Sequence, residues 1–344
     1  MKDCSKDVLA YHNDEVTLPQ TERTSMCNRR NANRDRLRKS LKDDEKSLPQ
    51  EFIKQGSYAM LTMVQDANND YDIDDGVYFT QAALKGANGG DKAARDARQM
   101  VCDALQHSGF TTPPEVRKNC VRVFYTAGYH VDMPVYRIRE SDGDYELASG
   151  SDWVHSRAAD VEDWFNNANH TKSPDENNGR QFRRIVRDLK KFAKSRDAWK
   201  DKITSGFAIS VLVEEKYVAN KDREDMSLRD TMRAIYNRLV LNLEVDHPVT
   251  SGAKITKGTD DSKMKFFRDK LKVALDDLAV LDEADCTQEK ALKAWDKVFN
   301  TDYFIGRYKE DEKKASENSA FLSSLIATKS EPSAVNKNGG GRFA

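Results

Sequence analysis

Strand-like patterns prevail in the first half of the chain and helix-like patterns in the second. Period-two alternation and short apolar runs predict strands at residues 58–64, 71–79, 120–125 and 130–138. Turn-forming residues at 66–70 make the first two strands a hairpin-like pair. Helical patterns at 22–46 and 91–107 flank them. The first half is therefore predicted to be mixed α/β.

The second half is predicted to be a helical lobe. Helices are expected at 159–166, 179–195, 207–217, 228–239, 264–281 and 288–299. The helix at 179–195 carries apolar residues on one face, and arginines and lysines fill the remaining positions. We expect most of this basic face to be solvated, with one or two side chains reaching a phosphate. From residue 329 the Ser, Pro, Asn, Lys and Gly composition predicts a mobile tail.

Composition narrows the class of protein. A length of 344 residues suits a bilobed enzyme, and 56 basic against 57 acidic residues gives no global basic field for nucleic acid. Five scattered cysteines without a CxxC pair argue against zinc and indicate reduced thiols. No apolar run approaches membrane-spanning length, so we expect no membrane partner and a cytoplasmic protein.

Three acidic residues in strand-like segments carry the candidate chemistry. Asp72 and Asp74 project from one face of a strand because side chains alternate, and two neighbouring carboxylates repel each other. Asp132 lies in an otherwise apolar strand, where an unpaired carboxylate is costly to bury. A divalent cation held by all three explains them together. The alternative for Asp132 is a salt bridge to Arg122 or Arg137.

Oxygen ligands without His or Cys indicate Mg²⁺ or Mn²⁺, with substrate phosphates as further ligands. Gly56 lets the backbone approach a phosphate and Ser57 offers a hydroxyl, although such a dipeptide alone usually marks a turn. We expect Asp75 to support a turn before the next glycine and His130 to be structural, so both are left out of the metal site.

Several motifs resemble those of one enzyme family. Gly56-Ser57, DIDDGVYF at 72–79, CVRVFY at 120–125 and YHVDMPVYRI at 129–138 occur in the family's order. The chain resembles the bacterial CD-NTases, enzymes similar to cyclic GMP-AMP synthase that make signalling nucleotides in CBASS anti-phage defence. The resemblance spans roughly residues 20 to 310.

The resemblance implies an α+β fold with a bilobed, polymerase-β-like nucleotidyltransferase core and a C-terminal helical bundle. Residues 1–50 would pack along both lobes, 51–150 would form the catalytic core, 151–328 the helical lobe and 329–344 a flexible tail. It also implies that Asp72, Asp74 and Asp132 are catalytic and hold the metal. Gly56 and Ser57, with DLKK at 188–191 and TSGF at 204–207, would bind nucleotide, through Lys190 and Ser205 in the latter two.

The implied substrates are nucleoside triphosphates, ATP or GTP, joined by 3′-hydroxyl attack into a cyclic di- or trinucleotide. The implied partner is an E1-like ligase that acts on the tail at 339–344, the alternative being a merely disordered terminus. A zinc insertion for DNA sensing is not seen, so we expect no DNA activator. We also expect a monomer. Two other functions stay open, namely a nucleotidyltransferase that modifies RNA or protein and an idle scaffold of the same fold.

Overall fold

A mixed β-sheet occupies the chain between residues 51 and 155. The computed structural model describes residues 1–66, 69, 71–86, 88–126 and 128–329, with side chains to residue 323. Within these residues the sheet has eight strands: β1 Glu51–Gln55, β2 Tyr71–Thr80, β3 Glu115–Val116, β4 Val121–Phe124, β5 Tyr129–Met133, β6 Val135–Ile138, β7 Tyr145–Ser149 and β8 Asp152–His155. The predicted α+β organisation is confirmed.

Strand β2 is central because it pairs with three other strands. Gln55 of β1 pairs antiparallel with Asp74 of β2. The other edge of β2 pairs in parallel with β5, where Asp74 opposes Asp132, and then with β6, where Val77 opposes Val135. Strands β4 and β7 extend the sheet beyond β5 and β6. The register of β2 therefore sets which side chains meet at the middle of the sheet.

Helices precede the sheet, cover it and make up the rest of the chain. They are α1 Ser5–Tyr11, α2 Gln20–Asp43, α3 Gly56–Ala59, α4 Ala94–Leu105, α5 Asp160–Lys172, α6 Gln181–Lys194, α7 Gly206–Lys216, α8 Glu224–Leu241, α9 Ser262–Asp277, α10 Gln288–Phe299 and α11 Tyr303–Lys329. A π-helical turn, His12–Val16, continues α1. Among the described residues, no helix is both long and apolar enough to cross a membrane.

The chain builds two apolar cores. One lies under the sheet and includes Met26 and Leu37 of α2, and the other lies among the later helices and includes Val8 and Tyr11 of α1. Because burial of apolar surface drives packing, each core holds one part of the N-terminal segment. Residues 1–43 therefore contact both halves of the molecule.

The predicted strand at 58–64 is wrong. Gly56 has φ of +62° and turns the chain out of β1 into the short helix α3. The amides of Met60 and Thr62 then bond locally to the carbonyls of Gly56 and Ser57, at 3.1 and 2.9 Å, so they are not free for a sheet. Strand β1 lies just before this turn, at Glu51–Gln55, and forms the pair with β2.

Seven of these strands and helices were not predicted from the sequence, namely strands β1, β3, β7 and β8 and helices α1, α3 and α11. Pro134 divides the single strand predicted at 130–138 into β5 and β6, because proline has no amide hydrogen to donate to a neighbouring strand. The turn predicted at 66–70 lies partly outside the described residues. The tail predicted from residue 329 lies almost entirely outside them, since the described part of the chain ends with α11.

The basic face of α6 is not solvated as expected. Arg184, Arg187 and Lys190 are buried, and Arg184 pairs with Glu224 of α8. Three other bonds join this face to the chain before β2: Arg183 donates to the Met60 carbonyl at 3.1 Å, Arg187 to the Leu61 carbonyl at 2.8 Å and Lys191 to the Gln65 carbonyl at 3.1 Å. The charges of α6 therefore hold a neighbouring loop.

Candidate active site

The three acidic residues meet on neighbouring strands. Asp72 and Asp74 follow each other on one face of β2, and Asp132 on β5 lies directly opposite Asp74 in the parallel register. Loss of hydration, followed by repulsion from Asp132 and Asp72, raises the pKa of the Asp74 carboxyl to about 7. The sheet thus holds negative charges close together at the point where the sequence places them.

Arg122 compensates part of this charge. It lies opposite Asp132 on β4, and its Nε and Nη2 donate to the two Asp132 oxygens at 2.7 Å each. Nη2 also lies 3.1 Å from Oδ1 of Asp72. The salt bridge considered as the alternative for Asp132 is therefore present. It lies within the acidic group, which consists of Asp72, Asp74 and Asp132. Arg137 pairs with Asp91 and Glu146 instead.

The acidic group suits a hard divalent cation by its chemistry. Its donors are carboxylate oxygens, and a cation would relieve the burial and the repulsion between carboxylates that raise the pKa of Asp74. As the side chains stand, no three His, Cys, Asp or Glu groups in the described part of the chain are arranged to hold a metal. Since Arg122 engages both Asp132 oxygens, it would have to move for a cation to reach them.

Gly56 lies against the carboxylate of Asp74. A Cβ atom at Gly56 would lie 2.2 Å from Oδ2 of Asp74, and its φ of +62° also favours glycine. The pairing of Gln55 with Asp74 in the β1–β2 register brings them together. Ser57 follows immediately and lines the adjoining cleft. In the structure, the group that closely approaches this glycine is therefore a carboxylate.

A cleft of about 710 Å³ opens beside the acidic group. Its lining comes from both halves of the chain, with Ser57, Asp72 and Asp74 from the first half and Lys190, Ser205, Phe207 and His247 from the second. Asp132 is buried and does not form part of the wall. The cleft size lies within the range usual for small-molecule sites.

Lys190 and Ser205 both line the wall that comes from the helical half. Nζ of Lys190 donates to Oγ1 of Thr62 at 2.7 Å, and burial, followed by repulsion from Lys194 and Arg187, lowers its pKa to about 7. Ser205 caps α7, where its Oγ accepts from the Ala208 amide at 3.2 Å. A buried ammonium group and a helix N-terminus thus lie at one side of the cleft.

Asp75 and Arg122 have contacts that the sequence did not indicate. Asp75 does not support a turn: it is buried within β2, and its Oδ2 accepts from Nε of Arg34 at 2.7 Å. Arg122 was considered only as a partner of Asp132, although it also reaches Asp72. The alternation of apolar residues around Arg122 places it on one face of β4, but only the β4–β5 register reveals its partners. His130, expected to be structural, lies with Nδ1 3.6 Å from Asp72.

Comparisons with known proteins show what the domain and the fold resemble. Residues 50–136 match the family model of the cyclic GMP-AMP synthase DncV-like nucleotidyltransferase domain. Escherichia coli CdnC with ATP is 17% identical, with a TM-score of 0.65 over 87% of this chain and 98% of that one. Vibrio cholerae DncV with nonhydrolyzable GTP is 16% identical, with a TM-score of 0.68 over 87% and 96%.

A second structure of Vibrio cholerae DncV, in complex with the linear intermediate 5′ pppA(3′,5′)pG, is 17% identical, with a TM-score of 0.65 over 83% of this chain and 92% of that one. At these identities the structural likeness shows the fold. The domain match covers β1 to β5 and the start of β6, which include the strands that carry the acidic group. Residues 50–136 therefore carry a DncV-like nucleotidyltransferase domain, and the chain as a whole shares the fold of the CdnC and DncV structures.

Proposed function

We propose that this chain condenses nucleoside triphosphates into a cyclic di- or trinucleotide for anti-phage signalling. The observation that carries the proposal is the meeting of Asp72, Asp74 and Asp132 beside a cleft whose lining also includes Lys190 and Ser205. Acids for a cation and donors for a triphosphate are the parts that phosphoryl transfer requires. ATP or GTP are the proposed substrates.

In this proposal Asp72, Asp74 and Asp132 hold Mg²⁺, with Mn²⁺ as a substitute. Bound Mg²⁺ supplies charge neutralisation on the triphosphate and lowers the pKa of the attacking 3′-hydroxyl. Gly56 leaves room for the Asp74 carboxylate at the end of β1, and Asp74 and Asp132 stay in register through the β2–β5 ladder. The chain thereby fixes the strand positions that carry the oxygen ligands, and the release of Asp132 by Arg122 would complete the site.

The phosphate chain is proposed to lie between Ser57 and the pair formed by Lys190 and Ser205. With its pKa lowered to about 7 by burial and by neighbouring cations, Lys190 is only partly protonated at neutral pH. An anionic triphosphate would favour its protonated form and gain a charged hydrogen bond. Orientation of the donor by both walls would leave its α-phosphate facing the acidic group.

The test is incubation of the purified protein with labelled nucleoside triphosphates and Mg²⁺, followed by phosphatase treatment and mass spectrometry. The expected product resists phosphatase and has the mass of a cyclic di- or trinucleotide. Asp72→Asn with Asp74→Asn should abolish it, whereas Asp142→Asn, at an exposed position in the turn before β7, should not. Persistence of the product in the double variant would contradict the proposal.

The other outcomes separate the remaining functions. Linear product or label attached to RNA or protein would favour a nucleotidyltransferase that modifies a macromolecule. Lack of turnover with Mg²⁺ and Mn²⁺ across all four triphosphates would favour an idle scaffold. Attachment of the segment at 339–344 by an E1-like ligase, the monomeric state, the cytoplasmic location and independence of DNA stay predictions.

A further inference from the structure

Two aromatic side chains from the helical half line the cleft. Phe207 follows Ser205 by two residues in the first turn of α7, and His247 comes from the loop after α8. Their ring centroids are 5.4 Å apart, and Trp164 of α5 meets Phe207 edge-on at 6.5 Å. The Phe207 and His247 rings are inclined at 58° to each other, so they form an aromatic corner of the cleft wall with one polar ring.

The loop that carries His247 is held by hydrogen bonds. The His247 amide donates to the Ala253 carbonyl at 2.8 Å, and the Ile255 amide donates to the Val245 carbonyl at 2.8 Å. The Val245 amide donates to Oγ1 of Thr256 at 2.9 Å. This small closed ladder positions the imidazole before any ligand binds.

The same loop fixes the tautomer of His247. Nδ1 lies 3.1 Å from the Thr250 amide nitrogen and 3.4 Å from that of Val249. Backbone amides can only donate, so Nδ1 must accept and carries no proton. Partial burial also lowers the pKa of His247, which favours the neutral ring. The proton of the neutral ring therefore resides on Nε2, at the edge turned away from the loop amides.

We propose that His247 determines base specificity, by donating from Nε2 to a ring-nitrogen or carbonyl acceptor on the base of the bound nucleotide. Phe207 supplies the apolar surface against which that base packs. This inference rests on the proposed function. Every base has such acceptors, but at different positions, so a donor fixed in place selects among bases by geometry.

His247→Asn is the decisive variant. An asparagine oxygen can replace Nδ1 as acceptor for the loop amides, but its shorter side chain lacks a donor at the Nε2 position. His247→Gln restores a donor near Nε2. His107→Asn is the control, because Nδ1 of His107 also accepts from a backbone amide, that of Gly109 at 3.0 Å, at an exposed site outside the cleft wall.

The experiment measures KM and kcat for each triphosphate and the products formed from an equimolar mixture of all four. We expect His247→Asn to raise KM for the preferred nucleotide about tenfold, the size expected for one lost hydrogen bond. The melting temperature and kcat should stay near those of the parent. The ratio of kcat/KM between the preferred base and the other bases should become smaller. His247→Gln should recover part of the preference, and His107→Asn should change none of these.

Calorimetric binding of nonhydrolysable analogues of the four triphosphates separates this inference from the proposed function. Failure of the parent to turn over any nucleotide counts against the proposed function. Even then, a difference in affinity between the four analogues that becomes smaller in His247→Asn would support the role of His247. Unchanged base ratios in His247→Asn, absence of base preference in the parent, or an equal fall in kcat for all four bases would overturn the inference.

Discussion

The guanidinium of Arg122 donates to both oxygens of Asp132, at 2.7 Å each, while also lying 3.1 Å from Asp72. Two of the three acids proposed to bind a divalent cation thus share one internal positive charge. A cation that uses the same oxygens must compete with Arg122. The affinity of the site for metal therefore depends on how easily this arginine leaves.

Arg122→Met should tighten divalent cation binding because the competitor is removed. We expect about a tenfold lower Kd for Mn²⁺ by calorimetry, equivalent to roughly 1.4 kcal/mol. When a chelator keeps the protein free of metal, the free energy of unfolding should fall by about 1–3 kcal/mol, since Asp132 is left buried without its partner. Arg117→Met, which removes an exposed arginine paired with Glu115, serves as the control. Weaker Mn²⁺ binding in Arg122→Met would show that Arg122 supports the site.

Gly56→Ala should damage the active site more than the backbone alone explains. The new Cβ would lie 2.2 Å from Oδ2 of Asp74, so the carboxylate must move. Displacement of a reacting group by about 1 Å can cost roughly 100-fold in rate, which is the loss of turnover expected here.

The matched control is Gly143→Ala. Gly143 has φ of +71° but no atom within 4 Å of a Cβ built there, so it carries the backbone strain without the clash. Both variants should lose about 1–2 kcal/mol of unfolding free energy from the left-handed conformation. Equal turnover in the two variants would argue against a role for the Gly56–Asp74 contact.

Lys190 should take up a proton when a triphosphate binds. Its pKa is lowered to about 7, so it is mostly neutral at pH 8, and a neighbouring polyanion favours the charged form. Affinity should therefore fall as pH rises above about 7. Calorimetry at pH 8 in buffers of different ionisation enthalpy should give an uptake approaching about one proton. Lys190→Met should show none, whereas Lys172→Met, at a lysine that pairs with Glu214, should behave like the parent.

Arg34→Met should destabilise the sheet because Asp75 would be left buried without its partner. Removal of one member of a buried pair costs about 3–5 kcal/mol, and the partial exposure of Arg34 places the expected loss near the lower end. Lys39→Met, which breaks an exposed pair with Asp43 on the same helix, should change stability little. Denaturant unfolding followed by circular dichroism measures both. Equal losses of unfolding free energy in the two variants would mean that the burial of Asp75 does not increase the cost of losing its partner.

Helices with strong apolar periodicity could be predicted from the sequence. The pattern of Phe182, Ile185, Val186 and Leu189 placed α6 to within two residues at its start and one at its end. The failure at 58–64 has a local cause, since Gly56 takes a left-handed conformation and the following amides bond within a turn. Strand composition alone does not reveal where amides find their partners.

Part of the candidate site could be predicted from the sequence. Alternation along β2 places Asp72 and Asp74 on one face, which depends only on neighbouring residues. The opposition of Asp74 and Asp132 and the reach of Arg122 depend on pairing between strands distant in sequence, which composition does not specify. The place of His247 at the cleft is harder still to predict, because its loop follows α8 in the helical half, far in sequence from the acidic residues.

The bonds from α6 to the carbonyls of Met60, Leu61 and Gln65 limit how the two halves of the molecule can move. Three charged donors fasten the segment between β1 and β2, whose Met60 lines the cleft, to the helical half, so a hinge that parted the halves along this seam would break all three bonds at once. Opening of the cleft by such a hinge would therefore cost more than movement of single side chains in its wall. We expect the two halves to move little relative to each other along this seam during turnover.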